Sequence, residues 1–153
     1  MTDILIRAAM KSDLQKIEKL MAELIETMED TEGIDIKLVG QNCRDLLSDA
    51  NSYFLVAEIE GAVVGFINFT TRNTILHPAP SGLIDELVIA KKYRGKGIGK
   101  QLLITAIEKC KQFGCCEVEV STETENTKAR EFYKKCGFEE VGVLFEVDLK
   151  SME

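Results

Sequence analysis

Apolar residues recur along this chain with two periods, and the switches between the periods lay out the elements. Leu14, Ile17, Leu20, Met21, Leu24, Ile25 and Met28 return every three to four residues after Ser12 or Asp13, which predicts a capped helix with one buried face. Gly33 ends it behind the acidic run Glu29-Asp30-Thr31-Glu32. A shorter helix is expected from about Ile36 to Asp49, with Leu38, Val39, Cys43, Leu46 and Leu47 inward. Alternation over Asp3 to Ala8 predicts a first strand, and Ser52 to Ile59 with Ala62 to Thr71 predicts a hairpin turning at Glu60-Gly61. Arg72 to Ser81, with Pro78 and Pro80, reads as a connection or as a rim of a pocket.

Leu83 to Ala90 is apolar at nearly every position except Asp85 and Glu86, the signature of a strand buried on both faces. Alternation assigns Ile84, Glu86 and Val88 to one face and Asp85, Leu87 and Ile89 to the other, unless a bulge exchanges the two carboxylates. A helix from Gly97 to about Phe113, a strand from Cys115 to Ser121, a helix from about Thr127 to Cys136 and a strand over Phe138 to Lys150 complete the chain. The order is mixed α/β, without repeat or linker, and reads as one domain over residues 1–153.

Composition narrows the classes. The formal charge of −7 argues against nucleic acid as a partner and favours cationic ones. No run of about 20 apolar residues occurs, so no membrane span is expected, and Met1 to Ile4 shows no export signal. Five cysteines without a C-x-x-C pair read as reduced thiols of a cytoplasmic protein, and a single histidine, His77, offers little for a metal site.

The chemistry concentrates after the buried strand, in Lys91-Lys92-Tyr93-Arg94-Gly95-Lys96-Gly97-Ile98-Gly99-Lys100. Glycines at alternate positions let backbone N–H groups converge where a helix begins, and Arg94, Lys96 and Lys100 add positive charge. That combination predicts an anion cradle suited to phosphate. The dinucleotide fingerprint fails because Lys100 stands where its last glycine belongs, and a Walker loop fails at Arg94 and Gln101.

Arg94-x-x-Gly97-x-Gly99 after a hydrophobic strand resembles the acetyl-CoA pyrophosphate motif of the GNAT superfamily of N-acetyltransferases. Asn126, Ala129, Phe132-Tyr133 and Gly137-Phe138 resemble that family's second signature, in the right order and spacing. The resemblance implies a mixed, mostly antiparallel sheet with a splayed parallel strand pair and about four helices. It implies acetyl-CoA as cosubstrate, no metal, direct acyl transfer to an amine, and allows a homodimer. By position it assigns the pantetheine arm to Leu87, Val88 and Ile89, the pyrophosphate to Arg94 through Lys100 (Gly95, Lys96, Gly97, Ile98 and Gly99 included), and a carbonyl contact to Asn126.

Acyl transfer to an amine needs a base and an acid. Glu86, a carboxylate between aliphatics, is the base candidate, directly or through a water; the competing reading is a structural carboxylate. Asp85 is the weaker candidate. Tyr133 corresponds to the family's proton donor to the departing thiolate; its alternative is an aromatic core residue. Within the family the acceptor is a small-molecule amine or a peptide amine, the latter meaning a protein N-terminal or lysine acetyltransferase. A noncatalytic acyl-CoA sensor is the rival outside enzymology.

Overall fold

The computed structural model describes residues 3–152, which fall into two compact units that divide after Val120. The first holds a five-stranded sheet in sequential order: β1 (Ile4–Ala8), β2 (Ser52–Ile59), β3 (Ala62–Arg72), β4 (Ser81–Ile89) and β5 (Glu117–Val120). The first four strands are antiparallel neighbours and β5 joins β4 in parallel. The predicted hairpin turn forms at Glu60 and Gly61, whose φ values of 50° and 81° suit a two-residue connection.

Helices α1 (Leu14–Thr27) and α2 (Ile36–Leu47) cover one face of the sheet. Ile17 and Leu20 pack there with Cys43 on Phe54, Val56, Phe66 and Val88. Burying each such aliphatic side chain contributes roughly 1.5–3 kcal/mol. The opposite face takes α3 (Ile98–Gln112), which buries Ile98, Leu102, Leu103, Ala106 and Cys110. Tyr53, on that face of β2, stacks on Phe113 with ring centroids 4.6 Å apart. Two carboxylates tie the first strand down: Arg7 on β1 binds Asp13 at 2.7 Å and Glu58 at 2.8 Å. The guanidinium holds buried Asp13 below the usual carboxylate range.

The register of β3 on β4 corrects the simple alternation. Asn68 pairs with Glu86 but Phe69 with Ile84, so Asp85 is an extra residue, a bulge. Ile84 therefore lies with Leu87 and Ile89 on the α3 face, and Asp85 joins Glu86 and Val88 on the other. The hydrogen bond between Thr70 Oγ1 and Asp85 Oδ2, 3.4 Å long, fixes the carboxylate on that side.

The second unit contains α4 (Thr127–Lys135) and the tail behind it. Asn126 caps this helix by accepting the Ala129 N–H at 3.1 Å, and Gly137 closes it with φ 99°. The strand expected over Phe138 to Lys150 is not formed among the described residues; irregular backbone runs to a 3-10 turn at Leu149–Met152. Apolar alternation makes a strand only where a neighbouring strand takes up the backbone groups, and no ladder reaches this tail. Among the described residues no helix is long and apolar enough to cross a membrane.

Candidate active site

The bulge on β4 turns two adjacent carboxylates, Asp85 and Glu86, into one cavity of about 800 Å³. Its floor is the sheet, at Phe54, Phe66 and Asn68; its walls are α1, α2 and the segment between them, including Met28, Gly33 and Ile34. Met28, Gly33, Ile34 and Asp35 of the segment between the helices line this cavity, whereas the acidic run Glu29 to Glu32 does not. None of residues 73–80 lines it, so the proline-bearing connection is not its rim. His77 is instead held by Thr74 Oγ1 at 2.6 Å and Glu117 Oε1 at 3.0 Å.

Glu86 is half-buried, and its side-chain carboxylate accepts no hydrogen bond from the described residues. Burial first, and then the neighbouring Asp85, push its carboxyl above the usual range. Asp85 is raised by partial burial, against the Thr70 hydroxyl, which acts the other way. A carboxylate so placed is a stronger base than one in water. Cys43, in the same wall, is driven up by burial and by Glu18 and Glu86, so its thiol is not an activated nucleophile.

Asn68 is a residue the sequence reading passed over. It is 1% exposed, and its Nδ2 donates to Ser52 Oγ and Tyr53 O, both at 3.0 Å. Because a carbonyl can only accept, the amide orientation is settled, which leaves Oδ1 as an acceptor beside the cavity it lines. The signal in the sequence is one amide inside the otherwise apolar run Val63-Val64-Gly65-Phe66-Ile67-Asn68-Phe69.

Beyond Ile84 the parallel pairing with β5 stops, so among the described residues no strand pairs with Asp85 to Ile89 on that edge. The strand then runs into the glycine turn. Gly95 and Gly97 take φ values of 76° and 81°, and a side chain at either would meet nothing within 4 Å. Their conformation, not crowding, requires glycine. Gly97 is the N-cap of α3, and the first amide to bond back within the helix is Gln101, to Gly97 O at 3.2 Å. The amides of Ile98, Gly99 and Lys100 therefore lack helical acceptors at the positive end of the dipole. Arg94, Lys96 and Lys100 are exposed around them. Arg94 spends its Nε on Ile89 O, 3.0 Å away, bracing the turn to the strand and leaving its Nη groups as donors.

Asn126 and Tyr133 stand on α4 of the second unit. The capping bond occupies Asn126 Oδ1 and leaves Nδ2 to donate. Tyr133 packs edge-on against Phe132 and Phe138, at 5.2 and 5.6 Å. Burial and Cys136 hold its phenol above the ordinary value, so it stays protonated at neutral pH. Among the described residues no group of three or more His, Cys, Asp or Glu could hold a metal ion.

The sequence matches the Acetyltransferase (GNAT) family over residues 16–138. An aminoalkylphosphonate N-acetyltransferase of Salmonella typhimurium is 30% identical over 135 residues, 88% of this chain and 84% of that protein. An uncharacterized N-acetyltransferase of Archaeoglobus fulgidus is 32% identical over 129 residues, 84% of this chain and 88% of the other. Among solved structures, an aminoglycoside N-acetyltransferase in complex with CoA superposes with a TM-score of 0.83 at 21% identity, covering 97% of both chains. With the family matched over residues 16–138 and with relatives 30% and 32% identical along most of both chains, the chain belongs to the GNAT family and is an N-acetyltransferase.

Proposed function

We propose that this chain transfers the acetyl group of acetyl-CoA to a primary amine of a small molecule, by direct attack within a ternary complex. The observation that carries the reading is the continuity of β4, which links an unpartnered carboxylate, an unpaired edge and a glycine turn at a helix N-terminus. The cradle suits the diphosphate of CoA: its conformation requires glycine, its amides lack acceptors and its side chains carry the opposite charge. Gly95, Lys96, Gly97, Ile98, Gly99 and Lys100 would supply amides, and Arg94, Lys96 and Lys100 cations. Leu87, Val88 and Ile89 would offer backbone groups to the pantetheine arm.

Acetyl-CoA supplies an activated acyl carbon and a leaving thiolate that needs one proton. The amine arrives as an ammonium; for a lysine-like group of pKa about 10.4, the neutral form costs about 4.6 kcal/mol at pH 7. Glu86 takes that proton, directly or through a water, with a basicity raised by burial. An amide N–H of Leu87 or Val88 stabilises the developing oxyanion. On the resemblance of its motif, Tyr133 gives the proton to the thiolate and regains one, through solvent, from the nitrogen of the collapsing tetrahedral intermediate, while Asn126 Nδ2 holds a carbonyl of the donor.

Calorimetry with CoA, followed by thiol release from acetyl-CoA with a panel of primary amines, tests the proposal. Binding in the micromolar range with amine-dependent release is expected. Absence of heat would remove the donor site, and tight binding with no turnover would leave a sensor.

A further inference from the structure

The cavity that holds Glu86 is uneven in chemistry. Its walls are largely apolar, from Met21, Leu24, Ile25, Leu38, Val39 and Leu46, and among the described residues no lysine or arginine lines it. An anionic group on the acceptor would therefore meet carboxylates and hydrocarbon. Four carboxylates line it, but they are not equivalent. Asp35 and Asp45 are exposed and solvated, while Asp85, exposed at its outer side and partly desolvated, accepts from Thr70 Oγ1 at 3.4 Å. Asp35 Oδ1 accepts the Lys37 N–H at 2.9 Å, and Asp45 Oδ1 accepts from Gln41 Nε2 at 2.8 Å. Solvated carboxylates gain little from pairing with a guest. Only Glu86 is half-buried without a hydrogen-bond partner, so one ammonium meets the main electrostatic demand.

Size and polar lining point the same way. A volume of about 800 Å³ is that of a small-molecule site. An extended peptide would bring an N–H and a C=O for every residue, while the uncharged polar side chains here are Asn42 and Asn68. We infer that the acceptor is a small monoamine on an apolar body, without phosphate, phosphonate or a second cation. This rests on the acetyl-transfer reading above and gives its substrate class. It separates this chain from the Salmonella relative, whose name specifies an aminoalkylphosphonate.

The test compares 2-phenylethylamine with 2-aminoethylphosphonate, spermidine and a phenylalanyl dipeptide amide as acceptors, by kcat/KM for thiol release. Binding of 2-phenylethylamine to the CoA-loaded protein is measured separately by calorimetry. Phenylethylamine is expected to lead every competitor by at least tenfold. A lead for the phosphonate, the polyamine or the dipeptide would overturn the inference. Heat with phenylethylamine but no turnover would sink acetyl transfer while supporting the cavity assignment; no heat with CoA bound would sink the assignment itself. Leu38→Lys, at an exposed position of the wall, should weaken phenylethylamine binding at least fivefold with CoA affinity unchanged. Unaltered amine binding in that variant would also overturn it.

Discussion

Asn68 on β3 stands directly across from Glu86 on β4, one register position from the bulge that Asp85 makes. The amide is bonded on its donor side to Ser52 and Tyr53, so β2 fixes the residue that faces the proposed base. Replacing it with leucine strands two buried acceptors in an apolar setting. Asn68→Leu should cost about 1–3 kcal/mol in urea unfolding, and should lower kcat/KM for the amine more than it changes CoA affinity. A variant as stable as the parent would show that the two bonds contribute nothing.

Glu86→Gln separates activity from stability. Activity needs the ionised carboxylate, so kcat/KM should fall as pH drops through a raised carboxyl pKa. The glutamine variant should lose that limb and roughly 100-fold or more in rate. Stability runs the other way. A carboxyl whose folded pKa is raised favours the fold below its unfolded value of about 4.3, and that contribution is lost as pH rises. Glu86→Gln should therefore raise the melting temperature at neutral pH and leave it nearly unchanged at about pH 4. Equal shifts at both pH values would contradict the buried, disfavoured charge.

The cradle predicts a graded series. Gly97 holds φ 81° with open space where a side chain would start. Gly97→Ala meets only the left-handed backbone penalty, about 1–2 kcal/mol. Gly97→Glu adds a negative charge beside the expected diphosphate and should abolish CoA binding by calorimetry. Equal affinities for the alanine and glutamate variants would argue against an anion there.

Tyr133→Phe keeps the ring and its edge contacts with Phe132 and Phe138 but removes the proton. Turnover should fall on the order of 100-fold, with CoA affinity nearly intact. Parental rates across the pH range would remove the acid role and leave an aromatic packing residue.

Gly82 tests the face opposite the cavity. A Cβ there would lie 2.6 Å from Cys110 Sγ, on a thiol that is fully buried and cannot swing away. Gly82→Ala should destabilise the protein by about 1–3 kcal/mol through overpacking, and Cys110→Ala should relieve part of that in the double variant. Additive effects would mean the two residues do not press on each other.

What the linear chain determined was everything carried by neighbours within a few residues. Helical spacing from Leu14 onward, alternation in β2 and β3, Glu60-Gly61 at the hairpin and the glycine-cation turn into α3 each depend on local geometry, and each formed where that geometry predicts. The tail shows the limit of this. Its alternation satisfies the local condition for a strand, but a strand also needs a partner, which no local pattern supplies. Tertiary structure alone decided the shape of the site. The bulge at Asp85 is a register event between β3 and β4, invisible in either strand, yet it moves Ile84 off the face of Glu86 and brings Asp85 onto it. The importance of Asn68 likewise comes from Ser52 and Tyr53, fifteen or more positions away in sequence, which bind its donors and leave its oxygen beside the carboxylates. Periodicity could say that a carboxylate lay in a buried strand, but only the packing of distant segments could determine its partners, its solvation and so its basicity.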